Sequence, residues 1–580
     1  MAESLISPGV LSREQDRSFL PPAPIVAGAA FVGPAVKGPT FEPTVVTSYG
    51  DYQRKFGVTF ESGSNKYEFL TSIAVKSYFE QGGNTALITR VVSGSFTGAS
   101  NSTIAASDGG DAPFTIQTLG KGALLNNSTG ASDPGSLNSD GSLVSGSGDN
   151  IRWEISNVDN NAGTFSLAVR RGDDNDKSKT VLESFNDLSL DPNNDGYIAK
   201  VIGDQYKSLN TGADGTYLST VGTYVNRSNY IRVSGVNRQT LNYLSNDGIN
   251  VRDNAYTGSL PTASSGSFHG ASGQNYQHDE ANQHFADITN ANTQGLVASN
   301  YTNAFGLLEN QDEYVFNIIS APGLIYNYGD HKTQIDSMVS LASNRGDCIA
   351  VVDLSPYGST VNGAAGHAAT INSSYAASYW PWVQVGSSTG KLEFAPASVV
   401  IPGVYAFTDS AAAPWFAPAG LTRGGIPNVV QAERKLTRSQ RDTLYAANVN
   451  PIATFPGSGI SVFGQKTLQK KKSALDRVNV RRLLIDLKKF LGDQAKTLVF
   501  EQNTIATRNT FLANVNPYLE SVVQRQGLYA YRVVMDDTNN TADVIDRNQL
   551  VGQIFIQPAK TAEFITLDFV ILPTGATLGE

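Results

Sequence analysis

The stretch 563–572, Glu-Phe-Ile-Thr-Leu-Asp-Phe-Val-Ile-Leu, consists largely of strand-favouring residues and is apolar on both sides. Side chains alternate along a strand. Ile565, Leu567, Phe569 and Ile571 therefore share one face, and Phe564, Val570 and Leu572 the other. A strand with two apolar faces needs cover on both. Lying almost at the end of the chain, it must pair inside its own domain or add to a sheet edge on another molecule. The composition favours the second, an inter-subunit strand carried by Phe564, Ile565, Leu567, Phe569, Val570 and Ile571.

Two helices precede it. In 504–526 the apolar residues Phe511, Val515, Leu519, Val522 and Val523 fall on one face, and Gly527 is the expected stop. Pro517 predicts a kink or break after Asn516. In 473–491 the residues Val480, Leu483, Leu484, Leu487, Phe490 and Leu491 make an apolar stripe. Its other face carries Arg477, Arg481, Arg482, Lys488 and Lys489. Between 466 and 489 nine residues are basic and two acidic. The stretch has no interleaved aromatics for base stacking, and the whole chain is acidic, with a formal net charge of −9. Nucleic acid is therefore not expected as a partner. The open readings are a solvated helix face and a surface that meets a protein partner.

The charge marks a boundary upstream. Residues 96–300 hold 12 basic and 21 acidic side chains, so the entire net charge lies there and the rest balances. This segment is rich in Gly, Ser, Asn, Asp and Thr. Its short alternating runs at 151–155 and 164–170, split by Asn160-Asn161-Ala162-Gly163, predict a hairpin. It reads as a solvated β-rich insertion with little core, and 256–300 as loop. On either side the pattern changes. Residues 25–93 predict strands at 25–32, 44–48 and 85–92, and helices at 49–56 and 67–81. Residues 314–319, 331–343 and 347–354 predict a β-α-β unit with a parallel pair. Residues 1–24 read as an arm or a frayed terminus. The single cysteine, Cys348, excludes an internal disulfide. The most apolar stretches are broken by Gly and Pro, so no membrane insertion is expected.

Motifs for chemistry are weak. Asp191-Pro192-Asn193-Asn194-Asp195-Gly196 imitates half a calcium loop, but its twelfth position is Ile202 in place of glutamate. His269, His278 and His284 lack the His-Glu-x-x-His spacing of a zinc site. Ser458 lies between glycines without a nucleophile elbow, and Asp353, His331 and His367 read as loop and strand-end residues. No catalytic residue, cofactor or metal is expected.

Several segments together resemble the contractile tail sheath proteins of bacteriophages. Near the start these are Pro8-Gly9-Val10, Phe31-Val32-Gly33, Phe56-Gly57 and Gly82-Gly83-Asn84. Later come Pro414-Trp415-Phe416-Ala417-Pro418-Ala419-Gly420, Phe455-Pro456-Gly457-Ser458-Gly459 and Phe500-Glu501-Gln502-Asn503. The resemblance spans 7–92 and 303–572 and skips the insertion. It implies an α+β multidomain chain. The expected parts are an arm (1–24), an inner α+β domain built from both chain ends (25–93 and 445–562), an α/β, subtilisin-like middle domain (303–444), a β-rich outer insertion (94–302) and a C-terminal arm strand (563–580). It also implies a mechanical role: a homo-oligomeric sheath around a tail tube, in contact with baseplate and tail terminator proteins. Such a sheath belongs to the virion tail, is assembled in the host bacterial cytoplasm, and contracts to drive the tube through a cell envelope. Terminal arms would link the subunits, here Val10, Leu11 and Arg13 at one end and the 564–571 strand at the other. The basic helix would face the tube or a neighbour. A sheath from a phage-derived injection machine or bacteriocin is an alternative, and an α/β hydrolase a more distant one.

Overall fold

The computed structural model describes residues 25–565 apart from 63–64, 129–136, 214, 245–255, 257 and 274–296. At its centre lies an eight-stranded mixed sheet. Its strands are β1 (Ala29–Gly33), β2 (Thr44–Val46), β3 (Ala86–Arg90), β4 (Ile318–Ile325), β5 (Ile349–Asp353), β6 (Ala376–Trp380), β7 (Asn450–Phe455) and β8 (Gly459–Val462). Their order in space is β8-β7-β6-β5-β4-β1-β3-β2. The strands from β7 to β3 are parallel, and β8 and β2 close the two edges antiparallel.

Parallel strands are buried on both faces, which is why their sequences are apolar runs rather than alternations. Ala30, Val32, Ala350 and Val352 point into one core, and Ala29, Phe31, Ile349 and Val351 into the other. Helices α1 (Tyr49–Phe56), α2 (Leu70–Glu80), α3 (Asn300–Leu307), α4 (His331–Arg345) and α5 (Ile401–Ala411) pack on the sheet. Tyr301 and Phe305 of α3 join Ile335 and Met338 of α4 on the first face. Tyr52, Phe56, Ile73 and Val404 from α1, α2 and α5 fill the second. Helix α1 has the expected bounds: Ser48 caps its start by accepting from the Asp51 N–H, and Gly57 ends it at φ 71°. The β-α-β unit of β4, α4 and β5 is parallel as read.

The sheet redraws the expected division of the chain. Segment 25–93 does not stand apart from 303–444, because β1, β2 and β3 lie in one sheet with β4, β5 and β6. The physical reason is β4. It is buried along its whole length and needs a neighbour on each side, and β1 supplies one of them from far upstream.

A second core lies beside this body. Helices α6 (Val478–Lys496) and α7 (Ile505–Gln524) pack on a two-stranded sheet of β9 (Leu528–Val534) and β10 (Gln553–Pro558). Leu483 and Leu487 meet Phe511, Val515, Leu519 and Val522, closed off by Leu528 and Met535. The expected break at Pro517 is absent and α7 runs through it. Val515 and Leu519, fully buried on either side, hold the helix against the loss of one backbone hydrogen bond. The stop is also displaced by one residue. Gln526 takes the left-handed conformation (φ 62°), and the Gly527 N–H bonds back to the Val522 carbonyl at 2.8 Å.

The insertion has a core of its own, contrary to the sequence expectation. Two four-stranded antiparallel sheets enclose Phe114, Ile116, Trp153, Phe165 and Leu167. The predicted hairpin is there, as Ile151–Asp159 and Thr164–Arg171. Pattern reading underestimated this core because it is assembled from strands far apart in sequence, such as Phe114–Lys121 and Ile231–Val236, with long polar segments between them. A ribbon of Tyr206–Gly212 and Gly215–Val221 leaves the sandwich and lies on α3, with Leu209 and Leu218 against the body's core. Among the described residues no helix is long and apolar enough to cross a membrane.

Candidate subunit interface at the C-terminal arm

Arg477 lies at the N-terminal end of α6 and points at Glu563. Its Nε and Nη2 donate to the two carboxylate oxygens at 2.7 and 2.9 Å. Tyr445, on the helix Arg438–Ala446, donates its hydroxyl to Glu563 at 2.8 Å. Gln465, just after β8, donates to Glu563 at 3.0 Å and to the Thr561 hydroxyl at 2.6 Å. Burial pushes the Glu563 carboxyl up, but these donors outweigh it and hold it below the usual carboxylate range. Immediately afterwards Phe564 is 82% exposed and Ile565 77%. Leu567, Phe569, Val570 and Ile571 lie outside the described residues, as do Val10, Leu11 and Arg13.

The sheet of β9 and β10 has two strands, and among the described residues no third strand pairs with either edge. One face packs Tyr531, Val533, Ile554 and Ile556 toward α7, while Tyr529 and Phe555 face outward and are more than half exposed. Open edges beside exposed aromatics are the usual template for strand addition.

The expected basic face on α6 is narrower than its sequence suggests. Arg482 is buried and donates to Asp409 at 2.6 Å, with its guanidinium 4.7 Å from the Tyr405 ring. Arg481 is buried too, stacked 4.0 Å from the Tyr375 ring and donating to Ser374 at 2.5 Å. Arg477 is taken by Glu563. Lys488 and Lys489 remain exposed, the former also donating to the Tyr375 hydroxyl at 3.2 Å. The pairing of Arg482 with Asp409, 73 positions away, leaves no trace in local sequence.

The other candidate positions are occupied by structural contacts. Asp191 and Asn194 accept from the N–H groups of Asn193 and Gly196, which makes a polar turn of the calcium-loop mimic. His269 Nδ1 lies 3.1 Å from the Ser100 carbonyl, while His278 and His284 fall outside the described residues. His331 Nδ1 accepts from the Ile325 N–H, and His367 lies between Ser355 and Asn327. Asp353 is fully buried at the end of β5, accepts from the Ser398 N–H at 3.0 Å, and is pushed by that burial up to about 7. No group of three or more metal-ligating side chains occurs among the described residues.

Comparison with known proteins places this arrangement. The tail sheath protein of Vibrio phage KVP40 is 44% identical over 180 residues, which is 31% of this chain and 27% of that protein. The tail sheath protein of Enterobacteria phage T4 is 42% identical over 185 residues, 32% of this chain and 28% of that protein. The chain thus matches little more than a quarter of each relative's length. A crystal structure of the sheath tail protein of Listeria innocua shares the fold at a TM-score of 0.52 and 10% identity, covering 92% of this chain and 95% of that one. Residues 291–468 match the family model for the phage tail sheath protein central domain, and residues 470–571 that for the phage tail sheath C-terminal domain. The two matches run almost end to end, and over residues 291–571 the chain is similar to the central and C-terminal domains of phage tail sheath proteins.

Proposed function

We propose that the chain is the repeating subunit of a contractile tail sheath. Copies polymerise around a tail tube, engage baseplate and terminator proteins at the two ends, and shorten to drive the tube through a cell envelope. The polymer belongs to a virion tail assembled in the bacterial cytoplasm. The acidic insertion forms its outer surface, and the β9–β10 unit with the terminal arms its linked inner layer. The observation that carries this reading is a two-stranded sheet with no third strand among the described residues, followed by a segment whose apolar Phe564 and Ile565 are exposed. An arm strand from one copy completes the sheet of another, so copies remain joined while they shift relative to each other. Each added backbone hydrogen bond contributes about 1 kcal/mol net, repeated at every copy. Contraction then needs only a difference of a few kcal/mol per subunit between two sets of interfaces.

Electron microscopy of the purified protein tests this directly, with tubes expected. A chain ended after Ile565 keeps every contact of Glu563 and is expected to be a folded monomer that forms no tubes. Tubes of normal yield from that truncation would overturn the role of the arm.

A further inference from the structure

Five residues beyond β10 the chain is bound to the α/β body and no longer to the sheet it has just left. Three separate elements reach one carboxylate: Arg477 before α6, Tyr445 on its helix and Gln465 after β8. The side chains of Arg477 and Glu563 are only 24% and 17% exposed. Thr561 and Glu563 lie on one side of the segment, as an extended backbone requires, and both are held by Gln465. By the same alternation Ile565 belongs on that side, yet it is exposed. Among the described residues the attachment therefore ends at Glu563.

Every contact in this attachment is polar or charged. A bidentate guanidinium–carboxylate pair fixes direction as well as position. It also leaves the apolar residues Phe564 and Ile565 unused at the point of departure.

We propose that Arg477, Tyr445 and Gln465 form a clamp on Glu563 that sets where the C-terminal arm departs and presents it to a second copy of this chain. The inference rests on the sheath reading for the identity of that partner. Anchoring the base of the arm removes its freedom before assembly and raises its effective concentration at the neighbouring edge. Arg477 and Glu563 are positioning residues in this scheme, and the strand beyond them makes the bond.

The test compares the full chain with Glu563→Lys, which repels Arg477, and with the exchanged pair Arg477→Glu/Glu563→Lys. Hydrogen exchange of the unassembled chains is expected to rise about tenfold or more at 560–565 in Glu563→Lys and to stay unchanged across the body. Tube yield is expected to fall in parallel, and the exchanged pair to recover both in part, since a carboxylate at 477 also meets Asp476, which Arg477 pairs with at 3.0 Å. Unaltered exchange at 560–565 overturns the clamp. Faster exchange with full tube yield overturns its role in presenting the arm. A wild-type chain that forms no tubes sinks the sheath reading and with it the partner named here, while the exchange comparison still decides the clamp.

Discussion

Arg482 and Lys489 stand seven positions apart on α6, one inside the protein and the other in water. The Arg482 side chain is 3% exposed and its partner Asp409 25%. Removing one member of a largely buried pair strands the other, at a cost of about 3 kcal/mol. Arg482→Ala is therefore expected to lower the free energy of urea unfolding by about that amount, and Lys489→Ala by less than about 0.5 kcal/mol. Asp353 makes a separate, pH-dependent contribution. Its carboxyl keeps a proton up to about 7 in the fold, against an ordinary value of 3.8. The folded state holds the extra proton between those limits, so this residue's contribution is complete below about pH 4 and is lost as pH rises toward 7. At about 1.4 kcal/mol per pH unit, the advantage of Asp353→Asn over the wild type should grow by about 3 kcal/mol between pH 5 and pH 8. Unfolding free energies of the two proteins at both pH values check this, and a constant difference would overturn it.

The ribbon of Tyr206–Gly212 and Gly215–Val221 joins the insertion to the body. Leu209 and Leu218 are half-buried against the body's core, so cutting out the whole insertion uncovers part of that core. The double variant Leu209→Ser/Leu218→Ser is expected to destabilise the body by about 2 kcal/mol while leaving the Trp153 core intact. Thermal unfolding followed together with hydrogen exchange at 151–171 and at 318–353 separates the two. Elements set by local rules were legible in the sequence: α1, the β-α-β unit, and the hairpin around Gly163. Elements set by distant partners were not. Pattern reading takes an arginine on a helix to be solvated, and only the fold brings Asp409 and Tyr375 to Arg482 and Arg481. The same holds for β1, whose small residues say nothing of pairing with β4. The base of the arm was not legible, since nothing local marks the Glu563 carboxylate that Arg477, Tyr445 and Gln465 tie down.

For the molecule as a whole, what remains of the basic surface lines a cleft of about 450 Å³ in which Lys488, Lys489 and Lys496 face Asp312, Asp347 and Asp493. Exposed charges of this kind govern encounter more than fold. Lys488→Glu/Lys489→Glu is expected to leave monomer stability unchanged and to slow sheath growth on tubes at low salt. Because the Debye length shrinks from about 30 Å at 0.01 M to about 10 Å at 0.1 M, the difference should fade as salt rises. Light scattering during assembly at the two salt concentrations measures it. Equal growth rates at low salt would return these lysines to a solvated role. The order of strands in the central sheet also bears on how the chain is made. The segment of β1 emerges from the ribosome roughly 285 residues before β4, and that of β3 roughly 230 before it. At about 5–20 residues per second, that interval is on the order of 10–50 s. The insertion, with its own core, is complete within it and is free to fold first. Meanwhile β1 keeps one edge unpaired, so the nascent chain carries an adhesive strand for about half of its synthesis, and crowded ribosomes translating this message are where misassembly is expected to begin.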